Sequence, residues 1–419
     1  MEMSGVDKSV TLAGKTLLIS LIDSPAPSCP ELFMPSPVPP TQDAPRLAAP
    51  PALDPNADPL LVGLPKQRGY GQWIVSRMCD VRTVLTDPTT TVDMLTPKAM
   101  ARFMSQQGVT LEQTMEIVRI VARAHRVPND AERRDAIAIT RLFQGTLQDL
   151  DMASALGAIA SAEGRTVDVM ADLLRPILGA CRATALAIDP ELGQRVEDGL
   201  LAIMLTVERH GPSDLAPVEP LARAVMQDLS ILEKTRGKAR EMPITHWIFP
   251  AFLALLPITY TSVSMLAHLA ETPELQETLR ARPELRPGYI REVERLMTSI
   301  RYGTRQIGAT GLNLGDVWLP PRSLVVLDFS AANRDPALWQ EPDTCLLDRP
   351  RQPTATFSLG PLACVGGQAS RQFLSLLLDA VMQRVRVSLP QPGAEPDRLV
   401  TQWSITRGYR LCRLCLSTR

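Results

Sequence analysis

One stretch limits the fold of this chain more than any other. Residues 247–269 are apolar over a length that nearly spans a bilayer. The same stretch holds Pro250, Pro257, Thr259, Tyr260, Thr261, Ser262, Ser264 and His268. A lipid-facing helix has little use for that many polar side chains, whereas a helix enclosed in a large helical domain accommodates them. No other segment resembles a membrane span, so the expectation is one long buried central helix with the rest of the chain around it. Apolar periodicity predicts helices over 131–148, 149–162, 166–186, 190–209, 215–236 and 243–271, then two more before residue 300. After Arg301 the texture changes to short strands between Gly and Pro turns. One further helix is predicted over 365–386, and the chain closes on strands. Near the start WIVSR reads as a strand and CDVRTVLTD as a helix. Residues 23–66 are proline-rich and aperiodic, which predicts a partly disordered N-terminal arm over 1–66.

Composition narrows the class of protein. Hydrophobic residues make up 45% and charged residues 21%, with a net charge of -1, an ordinary globular balance. No global field points to nucleic acid or to an anionic membrane. The seven cysteines are odd in number and irregularly spaced, which reads as reduced thiols in a cytoplasmic protein. Cys412 and Cys415 form a CxxC, but no histidine is near and no second pair exists, so two strand thiols are expected rather than a zinc site. A signal peptide is not expected, because the apolar run 16–22 is short and follows Glu2 and Asp7.

The chemistry lies in FSLGPLACVGG, residues 357–367. Cys364 stands directly before a predicted helix, where free N–H groups and the positive end of the helix dipole face its sulfur. Gly366 and Gly367 allow backbone N–H groups to approach it, Gly360 permits the tight loop, and Phe357 would cover it from water. A thiol of ordinary pKa, about 8.5, is mostly protonated at neutral pH. These features would hold it as a thiolate, which suits an axial ligand of haem iron and pushes electron density onto the metal. The plain alternative is a structural cysteine in a glycine-rich turn.

Two further segments bear on that choice. EVER places Glu292 and Arg295 three apart on one helix, and AANRDPALWQEPD lies between that helix and the cysteine. This order resembles the cytochrome P450 superfamily in its bacterial form, over roughly residues 68–419 and most specifically in the C-terminal third. The resemblance implies a mainly α fold with a small β part. It implies a single domain, residues 67–419, with a triangular helical body and a long buried central helix. It implies haem b as cofactor, with Cys364 as the iron ligand and Phe357, Gly360, Leu362 and Gly366 around it. Glu292 and Arg295 become the structural pair that locks the ligand loop. A third basic partner is expected near Thr344, so Arg334 or Arg349 is expected to serve. Arg305 matches an arginine that binds a haem propionate, for which a permanently charged, bidentate guanidinium is suited. The implied partners are a small-molecule substrate and a ferredoxin with its reductase. The latter would dock on a face carrying Arg133, Arg134, Arg349, Arg351 and Arg371, with no role for nucleic acid or membrane.

The departures from the family carry the functional question. Its central helix normally presents an acid followed by a threonine over the iron. Counting back from Thr272 and Pro273 puts Leu256 and Pro257 at those places, with Thr259 or Thr261 as the alcohol if the register slips. No Asp, Glu or Gly lies between His246 and Glu271. Proline in mid-helix is expected to kink it and free a carbonyl. Propionate anchoring also looks thin. Leu362 stands where His or Arg is usual, and Glu132 and Ala136 stand where a basic pair is usual, leaving Arg133, Arg134 or Arg141 nearby. The expectation is a haem-thiolate enzyme of specialised metabolism with atypical proton delivery. Two alternatives stay open: a non-oxygenating enzyme (isomerisation, coupling or dehydration), and a degenerate homologue acting as a binding module. Loops 93–124, 187–215 and 390–406 are expected to line the distal pocket.

Overall fold

The computed structural model describes residues 63–67, 72–92, 128–210, 218–235, 242–391 and 406–419, with residues 116 and 120 and short strands at 11–12, 15–16, 46–48 and 398–400. The loops 93–124 and 390–406, expected to border the pocket, lie largely outside these residues. The chain divides into two units, Met1–Met34 and Pro35–Arg419. The described part of the first is the strand pair Thr11–Leu12 and Lys15–Thr16. Everything below concerns the second.

The central helix, Leu255–Glu271, is buried at every position from Ile258 to Ala270, which explains why its apolar residues show no stripe. Among the described residues, Pro250–Glu271 is the one helical stretch apolar and long enough to cross a membrane, and 72% of it is buried inside the protein. It packs against the helices Pro273–Ala281, Arg286–Leu296 and Gly367–Arg384 and the strand Tyr409–Thr418. Tyr260, Val263, Leu266, Tyr289, Phe373 and Leu414 meet in their shared core. The helices Pro190–His210 and Glu219–Thr235 close a second core with Trp247 and Phe252.

The helix expected over 243–271 is built in three pieces: a short turn Ile244–His246, a wide π-type turn Ile248–Leu253, and the α-helix from Leu255. Pro257 therefore falls in the first turn of the α-helix. N–H groups there have no intrahelical acceptor, so proline costs little. It stands just after the wide turn gives way to the α-helix, near the helix start and not in its middle. The helix expected over 166–186 also begins differently. Arg165–Asp168 is a strand paired with Tyr409–Thr418, followed by a wide turn Val169–Leu174 and the helix Arg175–Leu186. The β-branched Thr166 and Val167 suit that strand, and its partner lies too far along the chain for local pattern to reveal it.

The principal sheet has the order Lys66–Gln67, Gln72–Val75, Leu324–Asp328, Tyr302–Gln306. Its last strand, antiparallel to Leu324–Asp328 with Arg305 opposite Val325, carries Arg305 to the site. From the proline-rich stretch one strand is described: Arg46–Ala48, paired with Thr344–Leu346. Cys79 is disulfide-bonded, which corrects the expectation of thiols throughout, while Cys181, Cys345, Cys364, Cys412 and Cys415 are free. Cys412 and Cys415 share one strand at odd spacing, Cys412 buried and Cys415 beside Gly164. Among the described residues no cluster of His, Cys, Asp and Glu could hold a metal ion.

Candidate functional site

The loop ahead of the helix Gly367–Arg384 is tied at both ends. The Cys364 N–H donates to the Phe357 carbonyl at 2.8 Å, and the Gly366 N–H points at the Cys364 sulfur at 3.3 Å. Gly360 has φ +72, and a Cβ there would sit 2.5 Å from the Leu85 carbonyl oxygen, so only glycine fits. The Phe357 ring lies against Gly367, and the Arg371 guanidinium stacks 4.8 Å above it. Cys364 is solvent-exposed by area yet largely surrounded by protein. Both hold because its sulfur opens onto an internal cavity. Burial pushes the thiol above its usual pKa, while the Gly366 and Gly367 N–H groups and the Arg133 charge act in the opposite sense. Binding a metal cation would complete the deprotonation.

Behind this loop, Glu292 and Arg295 pair through two N–H donations of 2.8 Å each, both side chains buried. Glu292 also accepts from Arg349 Nε at 3.1 Å and the Leu346 N–H at 3.0 Å. Burial alone would raise its pKa; the donated hydrogen bonds and the charges of Arg295 and Arg349 outweigh this and hold it below the ordinary value. Of the two arginines expected as third partner, Arg349 reaches Glu292, whereas Arg334 bonds Asp343 and the Leu296 carbonyl. The Thr344 carbonyl accepts from both Arg295 and Arg349, and Trp339 lies within 5.1 and 5.8 Å of the two guanidinium carbons. Arg349 is thus a buried residue, which removes it from the surface patch where it was also expected. The NRDP turn adds Asn333, which donates to Thr298 and Thr356 and accepts from the Ala355 N–H, linking this network to the segment that leads into the cysteine loop.

The cavity holds about 510 Å³ between Cys364, Leu362 and Gly366 on one wall and Leu256, Pro257 and Thr261 on the central-helix wall. Thr259 is not on that wall; it lines a separate pocket of about 20 Å³ beside Phe252. Both threonine hydroxyls donate to their own helix, Thr259 to the Leu255 carbonyl and Thr261 to the Pro257 carbonyl, at 2.9 Å each.

Arg305 enters the cavity from the sheet. It is 7% exposed and donates to the Thr304 carbonyl and the Ser358 hydroxyl, and no ion pair to it exists among the described residues. Burial pulls its pKa down to about 10, so it remains a cation at neutral pH. A buried cation without counter-charge calls for an anionic ligand. Arg133 also lines the cavity, while Arg134 and Arg141 are exposed and stand outside it. A free sulfur open to the cavity, a buried guanidinium without counter-charge among the described residues and mostly apolar walls fit a flat, iron-bearing dicarboxylate such as haem.

Sequence reading missed two features of the cavity. Glu294, two residues after Glu292, is 3% exposed; one oxygen accepts from Arg371 at 2.9 Å and the other has no hydrogen-bond partner. Burial raises its pKa to about 7 against the pull of Arg371 and Arg291. A second acid in a buried helix was its only sequence signal. His246 also lines the cavity, with Nδ1 2.6 Å from Asp135; the two are 111 residues apart, so nothing local announces the pair.

A helical body whose cysteine loop opens onto a mostly apolar cavity is the arrangement that a haem-thiolate protein requires. The chain is similar to members of the cytochrome P450 superfamily, and these matches support an oxidoreductase of that type, with haem as cofactor and a small molecule as substrate. The Cytochrome P450 family model matches residues 284–416. Among curated relatives, 20-oxo-5-O-mycaminosyltylactone 23-monooxygenase of Streptomyces fradiae is 23% identical, covering 82% of this chain and 84% of its own. Nocardicin C N-oxygenase of Nocardia uniformis is 25% identical over 81% and 90%. Mycocyclosin synthase of Mycobacterium tuberculosis is 24% identical over 61% and 70%. Among solved structures, a mutant of P450 EryK in complex with erythromycin B overlays with a TM-score of 0.64 at 19% identity, covering 84% and 92% of the two chains.

Proposed function

We propose that this protein is a haem-thiolate oxidase of specialised metabolism, with haem b held by Cys364 and protons supplied from outside the central helix. The observation that carries the reading is the cavity itself. Cys364 opens onto it from one side, and the facing wall of Leu256, Pro257 and Thr261 offers no acid. Relatives named for natural-product steps support the metabolic setting.

When bound, haem supplies the redox chemistry. The chain supplies the rest. Gly366 and Gly367 direct N–H groups at the sulfur and favour the thiolate. Arg305 and Arg133 neutralise the two carboxylates. The network of Glu292, Arg295 and Arg349 fixes the segment from which the loop springs. Leu256 and Pro257 exclude water and leave the substrate an apolar face. Arg351 is exposed and Arg371 nearly half-exposed, beside Arg291, and this cationic surface suits an acidic ferredoxin. A coupling or other non-oxygenating reaction is the second reading, favoured by the acid-free wall, because such chemistry has less need of proton delivery to oxygen.

The test is Cys364→Ala in the haem-loaded protein. The wild type should show the thiolate-type Soret band of the reduced carbon monoxide complex, and the variant should lose it. A thiolate-type band that persists in the variant rules out Cys364 as the ligand, and its absence from the wild type points to a binding module.

A further inference from the structure

The central-helix wall carries no acid, yet the cavity holds a titratable pair beside it. His246 ends the short turn Ile244–His246 that leads into the central helix. Its Nδ1 lies 2.6 Å from Asp135 Oδ2 on the helix Asp130–Gln148. Its Nε2 lies 3.7 Å from Glu132 Oε1, beyond hydrogen-bond reach. Glu132 is itself fixed, because it accepts the Asn129 N–H at 3.0 Å in a capping box. A short contact with a carboxylate places a proton on Nδ1 and orients the ring. His246 lines the cavity, and Nε2 is the ring nitrogen not engaged by Asp135. The other charged groups around the turn are Glu233, which accepts the Ile244 N–H from the helix Glu219–Thr235, and Arg133 and Arg182 on the cavity wall, Arg182 being ion-paired with Glu197.

We propose that His246, oriented by Asp135, is the general acid of this cavity and takes the place of the acid that the central helix lacks. This rests on the reading above, in which dioxygen is the acceptor and a reduced ferredoxin supplies electrons. The step is a proton transfer. The Nε2–H bond of the imidazolium breaks, the proton passes to the oxygen being reduced, and the neutral imidazole keeps its Nδ1–H on Asp135. Solvent returns the proton to Nε2, the His246 side chain being 14% exposed. Asp135 is a positioning residue and His246 the catalytic one.

The haem-loaded full chain, with a surrogate ferredoxin and reductase, is compared with His246→Ala, His246→Gln and Asp135→Asn. Reductant consumed is counted against peroxide released. Peroxide per reductant should rise at least about tenfold in both His246 variants, a floor set below the roughly 10²–10⁴-fold that one positioned acid contributes, and by less in Asp135→Asn. If the alanine variant does not load haem, His246→Gln, which can keep a hydrogen bond to Asp135, is read in its place. A second measurement needs no turnover: diethyl pyrocarbonate should label His246 in the wild type, and phenylpyridine in the cavity should protect it. An unchanged leak with an intact Soret band, or a His246 that takes no label, overturns the assignment alone. A wild type without the thiolate-type Soret band overturns the haem-thiolate reading and this inference with it.

Discussion

The two walls of the cavity are built on opposite principles. On the Cys364 side, buried polar groups are numerous and tied together: Glu292 accepts four hydrogen bonds, two from Arg295 and one each from Arg349 and the Leu346 N–H. On the central-helix side the wall is apolar, and the hydroxyls present turn back onto their own helix. Buried charge is costly unless paired, so a chain keeps it where geometry depends on it. Here it is kept behind the cysteine loop and absent from the central-helix wall. The difference teaches that buried charge braces the cysteine loop, while the central helix itself contributes an apolar surface.

The comparison breaks most visibly at Glu292. Glu292→Ala leaves Arg295 and Arg349 buried without their shared counter-charge, which should cost about 3–5 kcal/mol. Denaturant unfolding and haem content measured on the same preparation should fall together. A variant that unfolds at the wild-type denaturant midpoint would show that the network does not support the cysteine side.

The halves of the site differ in how much of them could be read from sequence. Cys364, Gly360 and Gly366 are legible because the constraint is local: a loop before a helix, with glycine where a side chain would strike Leu85. The Glu292–Arg295 pair is legible for the same reason, being three apart on one helix. The choice between Arg334 and Arg349 is not, because it depends on how residues 334–349 wrap around Trp339. The helix-side register was obscured by the wide turn Ile248–Leu253, which moves Thr259 off the wall and puts Pro257 at a helix start. Pairings across long separations, such as Arg165–Asp168 with Tyr409–Thr418 and His246 with Asp135, leave no local trace at all.

A smaller effect sharpens the cysteine side. On that side one Glu294 carboxylate oxygen has no hydrogen-bond partner among the described residues, and burial raises its pKa to about 7 from an ordinary 4.5. The folded state therefore binds a proton that the unfolded state has lost between those values. The stability from the protonated form is fully present below pH 4.5 and is lost as pH rises through about 7. Glu294→Gln cannot lose it. The variant should gain on the wild type between pH 5 and 7 by about 1–3 kcal/mol, an upper range given that Arg371 is nearly half-exposed. Unfolding midpoints at the two pH values check this; a constant difference between the proteins would mean that Glu294 is ionised throughout.

The smallest effect belongs to the helix side. Thr261 faces the cavity, but its proton is engaged by the Pro257 carbonyl at 2.9 Å, a carbonyl already served by the Thr261 N–H through the regular helix pattern. Removing the hydroxyl leaves no buried acceptor without a donor, so Thr261→Val should cost no more than about 1 kcal/mol. For the same reason it should change peroxide released per reductant by no more than about twofold, against the 10²–10⁴ expected when a positioned acid or base is lost. Thr259→Val is the control, since Thr259 lines the small separate pocket and should leave the ratio unaltered. If Thr261→Val leaks heavily while Thr259→Val does not, the hydroxyl rotates away from Pro257 to act on oxygen. The central-helix wall would then hold a working proton donor, and the contrast between the two walls would fall.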